Sequence, residues 1–136
     1  MAALTQDRNT LRRDGVLIEP PVAGGARIFT GALVAINAAG LAVPGATSAT
    51  LVGAGAALAP ADNTLGAAGA LRVRLDKRPA RFANSAAAEA ITLADLGKDC
   101  FIVDDQTVAK TNGANTRSRA GKVFDVDADG VWVDFR

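Results

Sequence analysis

The sequence predicts an all-β protein, a small antiparallel β-barrel or β-sandwich with one or two short helices and an extended N-terminal arm. Three stretches carry that expectation. Val123-Phe124-Asp125-Val126 and Val131-Trp132-Val133-Asp134-Phe135 flank Asp127-Ala128-Asp129-Gly130, and β-branched and aromatic runs around an Asp/Gly loop read as a hairpin. Leu33-Val34-Ala35-Ile36 and Leu41-Ala42-Val43 flank Asn37-Ala38-Ala39-Gly40 in the same way. Leu71-Arg72-Val73-Arg74-Leu75 alternates apolar with charged, the period of a strand with one packed face.

The 136 residues fit one domain, divided here into an arm over 1–14 and a β-rich body over 15–136. Hydrophobic residues reach 49% while aromatics make up 4%. The apolar share is therefore largely alanine, which buries little area per residue, and a core that thin predicts an oligomer.

Net charge is +1, which supplies no global attraction to nucleic acid or an anionic membrane. The sequence has no histidine, the commonest general base and transition-metal ligand, and Cys100 stands alone, so no internal disulfide forms. The first 13 residues lack the apolar core of a signal peptide, and no later run has the length of a membrane helix, so a soluble chain not exported by the usual route is expected.

Taken in order, Ala2 to Asp14 mixes polar and charged residues with Leu4 and Leu11 as its large apolar anchors, and Gly15 closes it. Val16-Leu17-Ile18 is a short strand ended by Pro20-Pro21, since proline donates no ladder bond. Gly24-Gly25 turns the chain into Arg27-Ile28-Phe29, and the first hairpin follows, stopped by Pro44. Between Gly45 and Ala70 the chain is rich in Ala and Gly, with Thr50-Leu51-Val52-Gly53 as its strand. Gly53-Ala54-Gly55 opens like a dinucleotide-binding glycine loop, but Leu58 holds the third glycine position and no helical pattern follows. In the alternating strand, Leu71, Val73 and Leu75 should face inward and Arg72 and Arg74 outward. Asn84 to Ala90 is the best helix candidate, capped by Asn84 or Ser85. Thr92-Leu93-Ala94-Asp95 has capping-box spacing, and Gly97 supplies a left-handed stop. Period two then places Val131, Val133 and Phe135 on one face of the last strand, and Cys100 packs as a small hydrophobe.

Candidate chemistry is sparse. Asp125, Asp127, Asp129 and Gly130 reproduce the first half of a calcium loop, D-x-D-x-D-G, with Val131 placed for a carbonyl ligand. The position for a bidentate Glu holds Arg136, and the flanks alternate as strands where helices are needed, so a hairpin turn is the stronger reading. No cofactor or metal is expected. Asp104 and Asp105 point to opposite faces if they lie on a strand, and bond local backbone if they lie in a turn. Ser118 has no base at a recognisable spacing, and no enzymatic activity is expected. Arg72, Arg74, Lys77, Arg78 and Arg81 form a basic stripe that would hold phosphates or remain a solvated sheet face; Phe82 is its one aromatic neighbour.

Five runs resemble the capsid cement, or decoration, proteins of tailed phages, especially Mu-like phages and prophages: residues 82–85 (FANS), 91–98 (ITLADLGK), 103–109 (VDDQTVA), 116–121 (TRSRAG) and 127–133 (DADGVWV). The resemblance spans most of Arg72 to Phe135 and is weaker before it, where 4–10 (LTQDRNT) and 31–34 (GALV) carry it. It implies a small β scaffold on the outer surface of the virion head, commonly a homotrimer between capsomers, that reinforces the shell against packaged DNA. Its partner would be the major head protein, it would be made in the bacterial host cytoplasm, and it would need neither membrane nor direct nucleic-acid contact. On that reading the arm residues Leu4, Arg8, Leu11, Arg12 and Arg13 bind the head, ordering as they do so. The alternatives from other classes are a nucleic-acid-binding β protein using the stripe over 72–81, and an adhesion module displayed on a particle.

Overall fold

The computed structural model describes residues 2–136; Met1 of the predicted arm lies outside them. In chain order the strands are β1 (Leu17–Ile18), β2 (Arg27–Ile28), β3 (Leu33–Ile36), β4 (Ala42–Pro44), β5 (Val52–Ala57), β6 (Ala61–Asp62), β7 (Leu75–Asp76), β8 (Ala80–Phe82), β9 (Asp99–Ile102), β10 (Val108–Ala109), β11 (Arg119–Asp127) and β12 (Gly130–Asp134). They form two five-stranded antiparallel sheets, ordered β1-β7-β5-β3-β4 and β10-β9-β11-β12-β8, and a two-stranded ribbon, β2-β6. The fold is all-β, as the sequence predicts.

The layers follow from strand β3, whose first three residues are buried on both faces. Leu33 and Ala35 point into a core shared with the second sheet, where they meet Phe82, Ile102, Val131 and Val133. Ala32 and Val34 point the other way, into a core closed by Val22, Ile28 and Ala61 from the ribbon and the chain before it. A strand buried on both faces has no need of polar alternation, which is why Leu33-Val34-Ala35-Ile36 reads as a continuous apolar run. Its two neighbours differ: β4 contributes Ala42 to one core and Val43 to the other, and β5 contributes little more than methyl groups.

The second sheet curls on itself. Its outer strands meet at one parallel bridge, Ala83 to Thr107, where the Ala83 N–H donates to the Gln106 carbonyl at 2.7 Å and the Val108 N–H to the Ala83 carbonyl at 3.0 Å. This contact brings the edges together without a continuous ladder, so the architecture is layered sheets and no closed barrel forms. The hairpin of β11 and β12 buries Val131 and Val133 completely and Phe135 nearly so, and the Phe82 and Phe135 rings meet edge to face with centroids 6.0 Å apart. Cys100 is buried beside them.

Three local expectations are corrected. The strand placed at Thr50 to Gly53 runs instead from Val52 to Ala57, so Gly53-Ala54-Gly55 is ladder and no phosphate-binding loop. The helix placed at Asn84 to Ala90 is a single 3₁₀ turn, Ala87–Glu89, whose N-cap is Ala86 with no side-chain cap. The Asn84 carboxamide instead clamps Ile91, donating to its carbonyl at 2.8 Å and accepting its N–H at 2.9 Å, while the Ser85 hydroxyl donates to the Val108 carbonyl at 2.8 Å. Finally, Leu71 is 39% exposed, because regular pairing begins only at β7; Val73 and Leu75 are buried as expected.

The second turn is as the spacing predicts: Leu93–Asp95 is a 3₁₀ turn with a Thr92/Asp95 capping box, and Gly97 follows at φ 79°, a left-handed conformation that favours glycine. Asp104 also sits in a turn, its carboxylate accepting the Gln106 N–H at 2.9 Å.

Candidate functional site

The predicted arm stands apart from the body. Residues 2–14 form neither strand nor helix, and every one is exposed. Leu4 is 70% and Leu11 87% exposed, so both large apolar side chains of the segment lie in solvent together with Arg8, Arg12 and Arg13. Composition made this legible, since two leucines among so many polar residues cannot form a core contact that orders the segment. The arm leaves the body beside β1, an outer strand of the first sheet.

The basic stripe is interrupted by acids, Asp76 within it and Glu19 and Asp129 from elsewhere in the chain. The Arg74 Nε donates to the Glu19 carboxylate at 2.8 Å, and an Arg72 guanidinium N–H donates to the Glu19 carbonyl at 2.8 Å. Arg78 forks onto Asp76, with a closest approach of 2.6 Å, and holds the Asp76 carboxyl below the usual carboxylate range. Arg81 lies 3.8 Å from Asp129 and over the Trp132 ring. Lys77 turns inward; its ammonium donates to the Ala54 carbonyl at 3.1 Å, and burial lowers its pKa. Four of the five cations thus have an anion or a carbonyl acceptor in the first sheet or its neighbouring loop, and Arg81 is shared with the hairpin. Glu19, Asp76 and Asp129 offset three of the five charges, which lowers the number available for counterion release on a polynucleotide, while Arg72 and Lys77 bond neutral carbonyls.

The aspartates of the calcium-loop pattern are not brought to one point. The Asp125 carboxylate accepts the Val126 N–H at 2.8 Å, and Asp127 accepts the Asp129 N–H at 2.8 Å and the Trp132 indole N–H at 2.9 Å. The indole bond chiefly lowers the Asp127 pKa, and Asp129 faces Arg81. Among the described residues no three His, Cys, Asp or Glu side chains are grouped for a metal ion, and no helix is long and apolar enough to cross a membrane.

Ser118 proves to be a structural tie. It is buried; its hydroxyl donates to the Ser48 carbonyl at 2.6 Å and accepts the Leu51 N–H at 2.9 Å, fastening the chain before β5 to the chain before β11. Burial pushes the Cys100 thiol up to about 11, so it stays protonated and inert at neutral pH.

Sequence reading missed a polar cluster formed by two loops. Glu89 receives the Thr111 hydroxyl at 2.7 Å, the Thr111 N–H at 3.1 Å and an Arg117 guanidinium N–H at 3.2 Å. The Thr111 hydroxyl is the chief reason the Glu89 carboxyl lies below its usual range. No pattern of period two or 3.6 links residues this far apart, so no sequence signal could have joined them. No protein family, curated protein or solved structure matches this chain.

Proposed function

We propose that this chain is a decoration protein of a tailed-phage head: it binds the major head protein on the outer surface of the virion as a homotrimer and stiffens the shell against packaged DNA. The observation that carries the reading is the arm, which exposes Leu4, Arg8, Leu11, Arg12 and Arg13 beside a body in which every buried side-chain polar atom among the described residues has a partner. A segment of this kind orders when it meets a partner, and three such segments on one trimer multiply modest affinities through effective concentration. The sequence resemblance supports the same role, and the residues that carry it build scaffold: Phe82, Val131 and Val133 are core, Asn84 and Asp95 close loops, and Gly97 ends a turn. No enzymatic chemistry is proposed.

The test is co-sedimentation with mature heads lacking the protein. Saturable binding with increased heat resistance of the heads is the expected result; folded protein that fails to bind would overturn the reading. Deleting residues 2–14 should leave the thermal midpoint of the body nearly unchanged and abolish head binding. Normal binding by the truncated protein would remove the arm from the mechanism.

A further inference from the structure

The loop joining Lys110 to Arg117 contains Asn112-Gly113. Glycine leaves the amide nitrogen after an asparagine unshielded by a side chain, so this nitrogen can close a five-membered ring on the asparagine carboxamide. Here Gly113, Ala114 and Asn115 lie at φ 60°, 58° and 69°, a run of left-handed residues that wraps polar groups around that carboxamide. The Gly113 N–H donates to Thr111 Oγ1 at 3.3 Å. The Thr111 hydroxyl in turn donates to the Glu89 carboxylate, at 2.7 and 2.9 Å to its two oxygens, which turns an oxygen lone pair toward the Gly113 nitrogen. On the other side the Asn112 carboxamide oxygen accepts the Asn115 N–H at 3.2 Å, and its nitrogen donates to the Asn115 side-chain oxygen at 3.0 Å.

We propose that Asn112 is a self-modifying site, at which the folded loop accelerates conversion of the asparagine to aspartate and isoaspartate. The Gly113 nitrogen attacks Asn112 Cγ and forms the ring bond while its proton passes to Thr111 Oγ1, whose own proton passes to Glu89. Negative charge collects on Asn112 Oδ1, where the Asn115 N–H already points. The bond from Cγ to Nδ2 then breaks, and the nitrogen leaves as ammonia, recovering the proton held by Glu89. Water opens the succinimide at either carbonyl, giving an ordinary or an isoaspartyl linkage; nothing is oxidised or reduced.

The product places a carboxylate where the Asn112 carboxamide nitrogen donated to the Asn115 side-chain oxygen, and the isoaspartyl form also lengthens the backbone at the carbonyl that accepts the Thr116 and Arg117 N–H groups, each at 2.9 Å. The lost donor to Asn115 and the shifted carbonyl loosen the loop.

The test compares the whole purified protein in native buffer with the same protein unfolded in urea at one pH and temperature, following Asn112 by peptide mass mapping in ¹⁸O-labelled water. Native wild type should incorporate label at Asn112 several-fold faster than unfolded chain. Thr111→Val should slow the native reaction, and Thr111→Ser, which restores the hydroxyl, should recover it. A native rate equal to or below the unfolded rate, or a faster reaction in Thr111→Val, would overturn the proposal by showing that the turn protects the asparagine.

Discussion

The two large sheets are held together by opposite means. In the second sheet, Phe82, Ile102, Val123, Val131, Val133 and Phe135 fill the interior with branched and aromatic side chains. In the first, β5 offers Gly53, Ala54, Gly55, Ala56 and Ala57, and its packing comes from close approach of the main chain. The extreme is Gly53, where a Cβ would lie 2.0 Å from the Ala120 carbonyl oxygen of the facing sheet. The second sheet gains stability mainly from apolar area removed from water; at β5 dispersion between backbones that small residues allow to touch takes the place of bulk. The contrast explains how a chain with 4% aromatic residues makes a layered core: large side chains fill most of the space between the sheets, and they are excluded where β5 meets β11.

This contrast predicts opposite sensitivities. Removing bulk should harm the second sheet most: Ile102 is fully buried, and Ile102→Ala should lower stability by about 2–5 kcal/mol in urea unfolding. A loss below about 1 kcal/mol would mean that the site collapses around the missing atoms. Adding bulk should harm the seam: Gly53→Ala inserts one methyl against backbone and should cost about 1–3 kcal/mol. An unchanged midpoint would show that the two sheets can separate at this point and that the close approach is dispensable.

A smaller effect sharpens the comparison by pH. The Asp95 carboxyl, held below the usual 3.8 chiefly by the Thr92 backbone N–H, caps the turn that packs on β11. Because the folded value is depressed, the contribution is complete above the unfolded value and is lost as pH falls through the folded one. Asp95→Asn should therefore flatten the decline in stability between neutral pH and pH values below the ordinary carboxylate range. Equal slopes in wild type and variant would assign the acid sensitivity to other carboxylates, such as Asp76 with Arg78 or Asp99 with Arg119.

The places where sequence reading succeeded share a local cause. The hairpin around Asp127 to Gly130, the hairpin around Asn37 to Gly40, the Thr92/Asp95 cap and the Asp104 turn all depend on residues within a few positions of one another. Asn37 shows this directly: its side chain accepts the N–H groups of Ala39 and Leu41, each at 3.0 Å. Where it failed, distant partners decided. Alanine and glycine have little strand preference of their own, so β5 is a strand because β3 and β7 flank it. The alanines from Ala86 to Ala90 favour a helix in isolation, yet Ala87 is left-handed at φ 55°, and the clamps from Asn84 and Ser85 hold the segment as a loop.

The same division applies to the candidate site. The arm was legible because exposure follows from composition when apolar anchors are too few to bury. The partly offset stripe was not, because the Glu19 that engages Arg72 and Arg74 follows β1, which pairs with β7 but lies more than 50 residues away in sequence. Nor was the Glu89, Thr111 and Arg117 cluster, which two irregular loops assemble. By itself the sequence determined the all-β class, the hairpin turns, the inward face of the last strand and the free arm, since period two and turn chemistry act between near neighbours. Only the tertiary structure decided which strands are covered on both faces, which cations meet a carboxylate and where two backbones touch, because those are set by which surfaces the layers bring face to face.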